Sequence, residues 1–210
     1  MNIDDLRDQV RVAIQDSGVP ADELLSDNEL DQALQRATDR YSLIRQRDRK
    51  TTLTTDATLT RQVDISSLVD LHSIHHVEYP DDANYPLDLT PFSLWANTLT
   101  LDLLSDPAAG ANVVVFWTSG HEPSTVPAMH QPIIVTGGIG YALQELANQK
   151  RNQLNVSGDA LWGRLSSMAT DELDDFKEQL RDLRQLRRGQ MYASEAHQRT
   201  STESTDPGPV

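Results

Sequence analysis

Residues 113–143, VVVFWTSGHEPSTVPAMHQPIIVTGGIGYAL, hold the change of periodicity on which the fold turns. Residues 113–117 form the longest strongly apolar stretch of the chain and have the length and β-branched content of a buried strand. A loop marked by Gly120, Pro123 and Pro127 follows. Apolar residues then return at helical spacing, in Ile133, Ile134, Ile139, Leu143, Leu146 and Ala147. Pro132 suits the first turn of that helix, where a backbone N–H has no partner to lose.

Working outward from there, the N-terminal side reads as two helices. Ile3, Leu6, Val10, Ala13 and Ile14 keep the helical period until Ser17-Gly18 stops it. Ser26 with Glu29 three residues on is a capping box, and Leu30, Ala33, Leu34, Ala37 and Tyr41 make the apolar stripe of the second helix. Its end is basic: Arg40, Arg45, Arg47, Arg49 and Lys50 fall within eleven residues. The threonine-rich stretch 51–60 favours strand, as do residues 61–64 and 72–79. Leu99, Leu101 and Leu103 alternate with polar residues, and Asp106-Pro107 with Gly110 supplies a turn, which predicts a hairpin over 97–118.

Beyond the helix that starts near Pro132, Asn155 and Gly158 mark a break. Thr170 opens a last helix with Asp171, Glu172, Asp174 and Asp175 in its first turns and Arg184, Arg187 and Arg188 in its last, matching the helix dipole at both ends. Leu173, Phe176, Leu180 and Leu183 give it a seam for another helix. The expected fold is α+β: a helical bundle with an inserted small antiparallel β unit and a long C-terminal helix. The expected parts are an N-terminal helical pair (1–50), an acidic antiparallel β unit (51–130), C-terminal helices packing with the first pair (131–188), and a polar tail (189–210), disordered when free.

The chain of 210 residues carries 32 acidic and 18 basic side chains, a net charge of −14. That balance argues against a protein that grips nucleic-acid phosphates over a wide face. No apolar run approaches the roughly 20 residues of a membrane span, and the acidic N-terminus does not read as a secretory signal. With no cysteine there is no disulfide, thiol catalysis or cysteine-ligated metal. The acids are 23 Asp and 9 Glu, and the bases 15 Arg and 3 Lys. This is the composition expected of a protein soluble in molar salt, although an acidic protein of a GC-rich genome also favours Arg over Lys. Residues 51–130 hold ten acids and one base, Arg61.

Four groups invite a chemical reading. His72, His75 and His76 with Glu78 offer zinc-ligand types, but strand alternation sets His75 on the opposite side from the other two. Residues 136–140, TGGIG, lack both the spacing of a dinucleotide loop and the lysine of a P-loop, so close helix packing explains them better. No nucleophile-elbow pattern organises Ser, His and Asp. The basic run over 40–50 lacks interleaved aromatics apart from Tyr41 and suits charge pairing with an acidic face. No cofactor is expected, and the residues describe an interaction protein rather than an enzyme.

Three stretches in order resemble the head–tail connector (adaptor, or head-completion) proteins of tailed viruses. Residues 29–42, ELDQALQRATDRYS, resemble the early helix of that family, and residues 74–80, IHHVEYP, a "VEYP" strand of one branch. Residues 113–117, Gly120-His121, Val126-Pro127, His130, Gly137-Gly138 and Ala142-Leu143 are similar to its last strand, its "P-x-x-H" entry and its small-residue helix. The likeness spans residues 26–150. It departs from the family in lacking the Arg-Pro stop of the early helix, and the segment past Gly158 has no match.

The resemblance implies a homo-oligomeric ring, usually of twelve subunits, docked under the portal protein at the head–tail junction of a virion assembled in the host cytoplasm. Such a ring extends the DNA channel, which passes DNA without specific binding, and carries the next neck or tail protein. No catalytic residue and no metal come with it. Part of the acidic block, residues 51–130, is expected to face the lumen, where it repels phosphates, or the ring surface. Leu173, Phe176, Leu180, Leu183, Arg184, Arg187 and Arg188 are candidates for the portal or intersubunit interface. Arg40, Arg45, Arg47 and Arg49 are candidates for intersubunit charge pairing. The other readings are another neck or tail component (a stopper or tail terminator) and a metal-dependent enzyme using His72, His75 and His76.

Overall fold

Strand and helix periodicities separate into two units in the computed structural model of the chain, which describes residues 2–15, 24–80, 89–152 and 159–201. Residues 1–45 and 122–210 make a helical unit, and residues 46–121 a β unit inserted into its sequence. The fold is α+β as expected: helices α1 (Ile3–Ile14), α2 (Asp27–Ser42), α3 (Gln131–Asn152) and the long α4 (Asp159–Ser201), with two three-stranded antiparallel sheets. The boundaries of the insert move from 51 and 130 to 46 and 121, so the strand region takes in Arg47, Arg49 and Lys50.

In the helical unit, the capping box of Ser26 and Glu29 closes the start of α2: the Ser26 N–H donates to Glu29 at 2.8 Å. Leu30, Ala33, Leu34, Ala37 and Tyr41 are buried, as the stripe predicts. On α1 Leu6, Val10 and Ile14 are buried but Ala13 is exposed. Arg11 is also buried, donating to Asp27 at 2.6 Å and to the Leu25 carbonyl at 3.3 Å. With Arg7 it fastens α1 to the start of α2 and holds the Asp27 carboxyl below its usual range, chiefly through the Arg11 hydrogen bond. The Ser17-Gly18 stop and the Asn155–Gly158 break lie outside the described residues.

Helix α3 passes through the centre of this bundle on its small residues. A Cβ added at Gly137 would stand 2.8 Å from the Ala37 Cβ and 2.9 Å from the Phe176 ring; one at Gly138 would stand 2.8 Å from Leu34, and one at Gly140 2.8 Å from Leu173. The glycines therefore admit α2 and α4 to close range, which is the packing reading of residues 136–140. Helix α4 begins well before the expected cap, Thr170, whose hydroxyl donates to the Ser166 carbonyl inside the helix. The helix also runs through Gly189 to Ser201, so the polar segment expected from 189 starts as helix; residues 202–210 are outside the described set. Phe176, Leu180 and Leu183 are buried in the bundle core.

Tyr41 and His130 tie the end of α2 to the entrance of α3. The Tyr41 hydroxyl lies 2.7 Å from His130 Nδ1, with both residues buried. Burial first, and Arg45 second, push the His130 pKa below its ordinary value, and burial raises that of Tyr41. Both shifts favour the neutral forms of the two side chains, which share one hydrogen bond between the hydroxyl and Nδ1.

In the β unit, β6 (Asn112–Ser119) is the central strand of one sheet, between β1 (Arg47–Thr54) and β3 (Leu71–Glu78). The second sheet has the order β2 (Gln62–Asp64), β5 (Thr98–Leu101), β4 (Phe92–Trp95). The predicted hairpin over 97–118 is thus not formed: β5 and β6 belong to different sheets. Strand β5 instead pairs with β4 across a two-residue turn, Ala96-Asn97, with Ala96 at φ 51°. That pairing turns Leu99 and Leu101 inward beside Val63, Val77, Val113, Val115 and Trp117, whereas Leu103 only borders the core.

The basic end expected for the second helix is also corrected. The Tyr41 carbonyl accepts from both Ile44 and Arg45 at 2.9 Å, which ends the helix, and residues 47–54 alternate half-buried and exposed as strand β1. Arg49 lies on the inner face 5.3 Å over the Trp117 ring, and Lys50 on the outer face 5.2 Å over Phe116. A period of two, with threonines at 51, 52 and 54, prevails over the helical continuation.

Gly137→Ala is expected to destabilise the protein by about 1–3 kcal/mol, because overpacking outweighs the roughly 1 kcal/mol of helix propensity that alanine supplies. Gly163→Ala, in the same helical context with no atom within 4 Å of the added Cβ, is the control and should be neutral or stabilising; urea midpoints compare the two. The His130 pKa is lowered on folding, so the unfolded chain binds more protons just below the ordinary histidine value. The contribution of the pair to stability is present above about pH 6.5 and is lost as pH falls through the folded-state pKa. Tyr41→Phe should cost about 1 kcal/mol at pH 8, and thermal melts of His130→Gln should show a shallower acid dependence than the parent.

Candidate interaction surfaces

The candidate site residues separate into three groups. Arg40 and Arg45 are in the helical unit, while Arg47 and Arg49 are on the inner face of the sheet containing β1, half-buried. The four do not form one basic patch on one helix. Phe176, Leu180 and Leu183 are used within the bundle itself and so are not a free docking seam; removing residues from 170 onward would take part of the core with them. Arg184 is exposed, and the side chains of Arg187 and Arg188 lie outside the described residues.

What α4 leaves at the surface is a groove of about 470 Å³ between the end of α2, α3 and α4. Its floor is Ile44, Tyr141, Leu173, Phe176 and Leu180, with Leu43 at the mouth, and its rim carries Arg40, Lys177, Arg181 and Arg184. The groove follows from the way α2 ends. Once the Tyr41 carbonyl closes the helix, Leu43 is turned outward and is 67% exposed, while Ile44 packs partly against the core. On the rim Lys177 pairs with Asp174 at 2.8 Å and Arg181 with Glu178 at 3.0 Å, both exposed pairs one helical turn apart. Such pairs contribute little and exchange readily for a better carboxylate. An apolar floor inside a cationic rim suits a surface with an apolar side chain among carboxylates. Arg184 was visible in the sequence as a charge at the end of a helix; Leu43 and Arg181 were not, since only the chain turn after Ser42 unites them.

The β unit carries the complementary chemistry. It holds ten acids and four bases, three of the bases on β1, and the fourth, Arg61, is paired with Asp106. On the β2-β5-β4 sheet, Leu94, Leu99 and Val63 share the inner face, while Trp95, Thr98 and Asp64 form one row on the other. Trp95 is 85% exposed at the tip of the β4–β5 hairpin. Asp64 accepts from the backbone N–H of Ser66 at 2.9 Å and from its hydroxyl at 3.0 Å, which holds the carboxyl below its usual range and keeps it ionised. No sequence signal marks Trp95, because the turn Ala96-Asn97 that exposes it lacks a glycine, whereas Asp106-Pro107 and Gly110 point to a hairpin with 113–117.

The histidines of β3 do not follow simple alternation. Breaks in register between Leu71 and Ser73 and between Ile74 and His76 leave His72 and His75 without partners in the ladder. His72 Nδ1 is 3.0 Å from the Asp70 carbonyl, and His75 Nε2 is 3.3 Å from the Ser73 hydroxyl, which in turn contacts Thr118 at 2.9 Å. All three histidines are exposed, whereas Glu78 is 2% exposed and one of its carboxylate oxygens, Oε2, has no hydrogen-bond partner. Among the described residues no three His, Asp or Glu side chains are grouped to hold a metal ion. The chain matches no protein-family model and no curated protein.

Proposed function

We propose that this chain is a structural virion protein, a head–tail connector that forms a ring below the portal, extends the DNA channel and links the capsid to the neck or tail. The observation that carries this reading is the order of elements along residues 26–150. The three stretches that resemble the connector family fall on α2, on β3, and on β6 leading into α3. The small-residue helix that the resemblance includes is the one on which α2 and α4 close in. A helical bundle with a β insert also favours an adaptor over a mostly β stopper or tail terminator. The partners of the proposed ring are the portal protein above and a neck or tail protein below, at the head–tail junction of a particle assembled in the host cytoplasm. DNA passes through without specific contacts, and the acidic surface suits that task because carboxylates repel phosphates and offer few places for a strand to stick.

The Asp and Arg bias supports a second part of the proposal, a host that lives in molar salt. At about 1 M salt the Debye length is roughly 3 Å, so the self-repulsion of a chain with net charge −14 is largely screened.

Mixing the purified protein with the portal protein of the same virus should give a coaxial ring on the portal in negative-stain micrographs. Failure to associate with the portal at any salt concentration would overturn the connector reading. The melting temperature should rise between 0.1 M and 2 M KCl; a melting temperature independent of salt would overturn the salt-adapted part alone.

A further inference from the structure

We infer that the groove between the end of α2, α3 and α4 is the socket for the β4–β5 hairpin of a second copy of this chain, with Trp95 as the plug. The inference rests on the ring reading above and names the contact that joins one subunit to the next.

Complementary chemistry argues for a second copy as the occupant. The groove is apolar at its floor and has four cations at its rim. The hairpin presents an indole that is 85% exposed, in one row with the ionised Asp64, on a unit whose only base outside β1 is already paired. A tryptophan seated among arginines gains from ring burial and from the cation over its face, and Trp and Arg are the side chains most often found as energetic anchors of interfaces. The exposed i,i+3 pairs Lys177–Asp174 and Arg181–Glu178 are weak enough to open toward an incoming carboxylate. Socket and plug are also different surfaces on different units of one chain. Every copy offers both, so the contact is head-to-tail, the kind that generates a ring when its rotation closes. Leu43, 67% exposed and apolar at the groove mouth, gains a partner in the same step.

The absence of cysteine makes the test direct. Ser93, on the same face of the hairpin as Trp95, and Lys177, on the rim, are exposed positions. The full chain carrying S93C and K177C together, treated with a short bismaleimide, should give a ladder of dimers, trimers and higher species, while each single variant stays monomeric on a denaturing gel. Adding Trp95→Ala should lower the apparent association constant about 30-fold or more, as loss of an interface anchor does, and remove the ladder at both 0.1 M and 2 M KCl. R181E with R184E should weaken the ladder at 0.1 M but much less at 2 M, where charge is screened. Circular dichroism establishes that each variant is folded.

A ladder unaffected by Trp95→Ala overturns the inference, and so does a cross-link confined to one chain, which would make the molecule's own hairpin the occupant. Rings on the portal with no 93–177 cross-link would overturn the contact and leave the connector reading standing. A Trp95-dependent ladder from a protein that ignores the portal would keep the contact and overturn the connector.

Discussion

Gly137, Gly138 and Gly140 set the distance between α3 and its neighbours, and the rest of the helical unit depends on that distance. With no Cβ in the way, α2 brings Leu34 and Ala37 onto α3 from one side, and α4 brings Leu173 and Phe176 from the other. Close backbones leave little volume to fill, so one well-packed core of Leu, Val, Ile and Ala suffices without many aromatics. The same tightness fixes where α2 must stop. Tyr41 is the last residue of its stripe that fits, its hydroxyl is taken by His130, and its carbonyl ends the helix. The outward turn of Leu43 and the mouth of the groove follow directly from that termination.

Most of the helical unit was legible because each helix carries an independent local signal. Ser26 and Glu29 define a start whatever the tertiary context, and Leu30, Leu34 and Tyr41 define a face. The β unit was less legible, since alternation tells which side of a strand is buried and nothing about its partner. Leu99 and Leu101 point into a core whichever strand lies alongside, so the choice of β4 over β6 rests on the two-residue turn Ala96-Asn97, which lacks the glycine that usually marks one. The histidine strand shows the same limit in another form. Strict alternation would run through His72 and His75, but these are the bulged residues, and a bulge resets the count. At residues 40–50 two periods overlap, and charge gave no means to separate a helix end from the strand that follows it. The groove stayed out of view because its floor draws on three helices and its rim on two, a convergence that only the packed bundle creates.

The acidity gains structure from the same boundary. Counted over residues 51–130 the net charge is −9, but over the unit that folds, residues 46–121, it is −6, because Arg47, Arg49 and Lys50 belong to β1. These cations are engaged with the sheet: Arg49 stacks over Trp117 and Lys50 over Phe116. Strands β2, β4 and β5 carry no base and one acid, Asp64. Cations that reach solvent beside an apolar floor are gathered instead on the helical unit, around Leu43 and Leu173. The contrast is local to the groove, since the helical unit as a whole carries the remaining −8. A socket and a plug on different surfaces of one chain favour head-to-tail contact over a like-with-like face.

Molar salt would change which part of such a contact holds it together. When the Debye length is about 3 Å, charges act only where they touch, so long-range steering between an acidic and a basic face disappears. Apolar burial is not weakened in the same way, and salts that are excluded from protein surfaces strengthen it. A chain with few large aromatic residues has few anchors to offer, and Trp95, held at a hairpin tip by a backbone turn rather than by side-chain packing, is the most exposed aromatic among the described residues. Placing it there costs solubility as an isolated apolar ring in water. The cost is offset if the ring is covered in the assembled state.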